Sequence, residues 1–81
     1  MHRQDVLSRI TVDPRIMVGK ATIRGLRLTV EQLLKALANG ISEDELLADY
    51  PELEKEDFCA IFAYAAELVE PEKVYPLNLS A

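Results

Sequence analysis

Any reactive centre in this chain must be assembled from one histidine, one cysteine, three serines and fourteen acids. His2 lies at the start of the chain, so Ser8, Ser42, Ser80 and Cys59 lack a plausible imidazole to take a proton from them. One histidine and one cysteine do not make a structural zinc site of the usual kind. Half of the acids fall in two clusters, Glu43-Asp44-Glu45 after Ser42 and Glu52, Glu54, Glu56 and Asp57. Both clusters stand where helices are expected to begin, and negative charge is favoured at that end of a helix. This structural role accounts for them better than a catalytic carboxylate pair or a metal cluster. Gly19-Lys20-Ala21-Thr22 resembles the end of a phosphate-binding loop, but Pro14 stands where that loop needs its first glycine. The expectation is a protein without enzymatic activity, without a cofactor and without a metal.

The charge distribution is more informative. The net charge is −5 over 81 residues. Residues 1–30 carry six cations against two acids, +4, and residues 31–81 carry three cations against twelve acids, −9. The candidate nucleic-acid contacts are therefore Arg9, Arg15, Lys20, Arg24 and Arg27, all in the first third. Two readings are open for them. They meet phosphates, or they pair with acids of their own chain or of a second copy.

These groups must be positioned by whatever elements the chain forms. Pro14, Gly19, Gly25, Gly40, Pro51, Pro71 and Pro76 punctuate it. Three segments share a helix-entry signature, with apolar residues five apart around a cap. Leu28 and Leu33 flank Thr29 and Gln32; Ile41 and Leu46 flank Ser42 and Glu45; Leu53 and Phe58 flank Glu54, a poor cap. The predicted helices run over about 30–38, 43–49 and 55–70. Ile10-Thr11-Val12 and Thr22-Ile23-Arg24 read as short strands, with Arg27-Leu28 as a possible third.

The third helix has a predicted core stripe of Phe58, Ile61, Phe62, Ala65 and Leu68/Val69. Its flanks are nearly all apolar as well, so burial on more than one side is expected. The second covering surface is expected to be another subunit, which predicts a homodimer, a higher homo-oligomer or a hetero-complex. Phe62, Tyr64 and Ala66 are the candidate interface on the helix, and Val74, Tyr75 and Leu77 in the tail.

The predicted fold class is mainly α. A three-helix unit with a helix-turn-helix over 29–70 follows an arm with short strands over 1–28, and an extended tail covers 71–81. In such a unit the last helix would enter the major groove by its N-terminal end. That end reads Glu54-Lys55-Glu56-Asp57, the wrong sign for phosphates, so DNA contact is expected from the arm instead. No apolar run approaches the ~20 residues of a membrane span. The opening residues do not form a signal peptide, and a lone cysteine suits a reducing compartment, so a cytoplasmic location is expected.

Several ordered segments carry a family resemblance. Arg9-Ile10-Thr11-Val12-Asp13-Pro14, Ile16-Met17, Gly19-Lys20, Ile23-Arg24-Gly25 and Arg27-Leu28-Thr29-Val30 come first. Ala38-Asn39-Gly40-Ile41-Ser42, Leu47-Ala48-Asp49-Tyr50-Pro51 and Ala63-Tyr64-Ala65 follow in order. Together they resemble the small prokaryotic family called domain of unknown function 433, over roughly residues 8–69. The resemblance implies a homeodomain-like helix-turn-helix unit preceded by short strands, and an antitoxin-like protein of the VapB type. Its partner would be a PIN-like ribonuclease toxin, and the protein could in addition occupy its own operator DNA. Family members usually have proline at the position of Ala21, threonine at that of Leu26, and often Ser or Thr at that of Glu54. The family has no established active site to carry over. The alternative reading is a homo-oligomeric protein-interaction module with no nucleic-acid role.

Overall fold

A computed structural model describes residues 3–70; the tail candidates Val74, Tyr75 and Leu77 lie outside the described residues. The described chain is mainly helical, with one small antiparallel sheet. The order is α1 (Arg3–Leu7), β1 (Ile10–Val12), β2 (Ala21–Ile23), α2 (Val30–Ala38), α3 (Glu43–Asp49) and α4 (Lys55–Val69).

The two strands pair Ile10 with Ile23, Thr11 with Thr22 and Val12 with Ala21. Thr22 is fully buried, and its hydroxyl lies 2.9 Å from that of Thr11, so a buried polar group keeps a partner. The Thr11 hydroxyl also accepts the Gly25 N–H at 2.8 Å, fixing the turn that follows β2. That turn ends the second strand one residue earlier than expected. Arg24 is left-handed, with φ of 47°, and turns the chain out of the strand, although its N–H still donates to the Arg9 carbonyl at 2.7 Å. The third β-prone piece forms no strand; Leu28 accepts the Ile23 N–H at 3.0 Å and Thr29 makes a single bridge to Thr22.

The caps place the helices. Thr29 accepts the Gln32 N–H at 3.0 Å and starts α2. Ser42 and Glu45 form a reciprocal capping box at α3, with bonds of 3.0 and 3.1 Å. Gly40 takes φ of +89° and stops α2 in the left-handed region that glycine tolerates. The predicted bounds of α2 and α3 are met, and α4 ends one residue early.

Ile23, Leu28, Val30, Leu33, Leu46, Leu53, Phe58 and Ile61 form the core, drawn from β2, the turn after it, all three later helices and the connection between α3 and α4. The predicted stripe of α4 is rotated. Phe58 and Ile61 are buried, but Phe62, Leu68 and Val69 are 47%, 60% and 57% exposed. Asp57 and Ala60 are buried instead, because Asp57 is drawn inward by two arginines and α1 packs on α4. The unexpected α1 explains part of the surplus apolar character of α4. It packs on α4 within one chain, where Val6 is 6% exposed and Ala60 is fully buried.

Met17, Val18 and Gly19 take successive positive φ angles of 51°, 57° and 79°. A β-branched residue in that region is strained, at a cost of about 1–2 kcal/mol. Val18 is 93% exposed, so packing does not compensate it. Val18→Asn, a residue that tolerates this conformation, is expected to stabilise the protein by about 1 kcal/mol, raising Tm by roughly 4–8 °C. A melt showing an unchanged or lowered Tm would refute the strain.

Candidate functional site

The structure divides the five candidate cations into two groups. Arg9 and Arg24 converge on Asp57 at the start of α4. Asp57 Oδ1 accepts from Arg9 Nη1 at 2.9 Å and from Arg24 Nε at 3.1 Å. Its Oδ2 accepts from Arg24 Nη2 at 2.9 Å and from the Glu54 N–H at 2.8 Å. The Arg24 contact is a two-pronged guanidinium–carboxylate fork. Arg24 Nη2 also donates to the Glu52 carbonyl at 2.6 Å, and Arg9 Nη1 to Glu54 Oε1 at 2.8 Å. Asp57 is wholly buried. Burial pushes its carboxyl up, but the Arg24 guanidinium, the Glu54 N–H and Arg9 outweigh burial and hold it below the ordinary range. These two arginines are committed to joining the turn after β2 and the end of α1 to α4.

The other three cations lie together. Arg15, Lys20 and Arg27 line one open cleft of about 600 Å³, with Pro14, Met17, Val18 and Thr29. Arg15 is held over Asp13 by bonds of 3.1 and 3.0 Å, a pair at the surface. Lys20 reaches Glu31 Oε1 at 2.9 Å, and Lys35 reaches the other Glu31 oxygen at 3.0 Å. Hydrogen bonds from Lys20 and then Lys35 hold the Glu31 carboxyl below its ordinary value. Arg27 is exposed and has no ion pair among the described residues. Thr29 brings the positive end of α2 to the same cleft.

The candidate interface residues also separate. Phe62 and Ala66 are exposed and, with Cys59 and Val69, follow a 3-4-3 spacing along one side of α4. Tyr64 faces the other way. It lines an apolar groove of about 350 Å³ with Ala21, Val30, Leu34 and Leu68, between α4, α2 and β2. Among the described residues there is no group of three or more His, Cys, Asp or Glu side chains placed to hold a metal ion. No described helix is long and apolar enough to cross a membrane.

Two features are not plain in the sequence. Asp57 resembles the other acids at helix starts, although its place three residues after Glu54 is the one from which a side chain reaches back to the cap N–H. Val18 gave no signal at all, because only the folded loop places it left-handed beside three cations.

No curated protein and no solved structure matches the chain. The sequence profile of one family does match, over residues 10–65, a span that contains both strands, Asp57 and Arg24 but not Arg9 of the buried centre, the cationic cleft and most of α4. The chain therefore belongs to the family described as protein of unknown function DUF433.

Proposed function

We propose that this chain is a non-enzymatic, antitoxin-like protein of a prokaryotic toxin–antitoxin pair, and that it holds a PIN-like toxin through the outer side of α4. The observation that carries the proposal is the apolar seam of Cys59, Phe62, Ala66 and Val69, which α1 and the core leave uncovered. Phe62 at 47% exposure is its natural anchor, since aromatic side chains concentrate binding energy at interfaces. The partner class follows from the resemblance to VapB-type antitoxins.

In this reading α2, α3 and α4 are a homeodomain-like helix-turn-helix used as a scaffold. The five-residue connection 50–54 would be its turn. Operator DNA, where it is bound, meets the cations ahead of the helices, because the start of α4 offers Lys55 among Glu54, Glu56 and Asp57. Arg9 and Arg24 are assigned to folding, and Arg15, Lys20 and Arg27 to contact.

Co-expression with the product of the adjacent gene tests the protein half. The two chains are expected to co-elute, and Phe62→Asp to abolish the complex without lowering helix content. Two well-folded chains that elute separately would overturn it. A second reading, a homo-oligomeric module with no nucleic-acid role, is favoured by the consumption of Arg9 and Arg24 in internal pairs. Its self-interface would be built on Phe62, Tyr64, Ala66 and the tail. Sedimentation of the chain alone as a monomer at micromolar concentration would exclude it.

A further inference from the structure

We propose that the cleft lined by Arg15, Lys20 and Arg27 binds the phosphate backbone of duplex DNA, with Val18 as its apolar contact. This rests on the nucleic-acid half of the function proposed above and assigns it a place.

Three observations converge there. First, three side-chain cations and the positive end of α2 share one open cleft of about 600 Å³. An open cleft with donors along it suits a continuous polyanion better than a small enclosed ligand. Second, the pairs that occupy two of the cations lie at the surface, where such pairs are weak and exchange readily for phosphate. Arg27 has no acid to give up among the described residues. Third, Val18 is held left-handed and 93% exposed at the rim of the same cleft. It adds nothing to the core, and strain of this kind persists where a surface is preorganised for contact. With the cations on phosphates, its methyl groups would meet the sugars between them.

The contrast is with the start of α4, where a helix-turn-helix would present its reading end. There Lys55 stands among acids. Residues 31–81 carry twelve acids against three cations, so attraction to DNA is expected at this cleft rather than on the helical body.

The test is fluorescence anisotropy of a labelled duplex carrying the sequence upstream of the gene, titrated with the full chain across a range of salt. Three phosphate contacts predict a slope of about −3 in log K against log salt. Arg27→Ala is expected to weaken binding about tenfold and to flatten the slope by about one unit. Val18→Asn is expected to weaken binding while raising Tm, a combination that loss of fold does not produce. Lys55→Ala is expected to change neither. If the wild-type chain binds but Lys55→Ala is the damaging variant, or Arg27→Ala and Val18→Asn are both silent, the cleft is refuted and the DNA reading stands. If the wild-type chain binds no duplex even at low salt, both fall, whatever single-stranded RNA or acidic protein it retains.

Discussion

Asp57→Ala is expected to destabilise the protein by about 3 kcal/mol, a large part of the roughly 4–12 kcal/mol available to a chain of this length. The magnitude follows from burial. Asp57 is wholly enclosed and accepts four hydrogen bonds from Arg9, Arg24 and the Glu54 N–H. Its removal leaves two guanidinium groups facing each other. Their side chains keep 22% and 30% exposure, so water relieves some of that repulsion and the effect falls at the low end for an opened buried pair. Asp57→Asn keeps an acceptor for the Glu54 N–H and should lose less. Because the groups act as one centre, Asp57→Ala combined with Arg24→Ala should cost little more than Asp57→Ala alone. Urea unfolding of the four proteins measures this. A loss below about 1 kcal/mol for Asp57→Ala would mean that the centre is not a joint of the fold.

The same centre fixes an acid dependence. The Asp57 carboxyl is held below its ordinary value of 3.8, so the folded state binds its proton less readily than the unfolded state. Its stabilisation is fully present above that ordinary value. It disappears as pH falls through the lower folded value. Glu31 and Asp13 are shifted in the same direction, by Lys20 with Lys35 and by Arg15 respectively, but at the surface. The Asp57→Asn protein should therefore show a shallower loss of stability below pH 4 than the wild-type chain, with both flat near neutrality.

The helices were legible because their signals are local. Thr29, Ser42 with Glu45, and Asn39-Gly40 each act within one turn of chain, so spacing alone locates α2 and α3. The charge split was legible too, but the sorting of its arginines was not. Arg9 and Arg24 find Asp57 across 48 and 33 residues of sequence, and no local pattern distinguishes them from Arg15 and Arg27. The helix α1 has five residues, too few to be stable alone, and exists through its packing on α4. The rotation of α4 has the same origin. Hydrophobic periodicity in a helix apolar nearly all round does not define one face, and a single buried acid chose it.

That choice gives the two phenylalanines of α4 opposite roles, although they stand one helical turn apart. Phe58 is 2% exposed in the core, against Leu33, Leu46 and Ile61 in the same cluster; Phe62 is 47% exposed on the outer seam. Phe58→Ala should cost about 3–5 kcal/mol, from lost transfer energy and the cavity left behind, which approaches the whole stability of the chain. Phe58→Leu, at about 1–1.5 kcal/mol, keeps the comparison measurable if the alanine protein does not fold. Phe62→Ala should cost about 1 kcal/mol, in proportion to the smaller area it shields. Binding should reverse the order. Phe62→Ala is expected to remove the helix seam's grip on a partner, whereas Phe58→Leu should leave the affinity of the folded fraction unchanged. Thermal melts and partner titrations of the same three variants decide it. If Phe62→Ala proved as destabilising as Phe58→Ala, the seam would belong to the fold, and the surface on which partner binding has been placed would have to lie elsewhere.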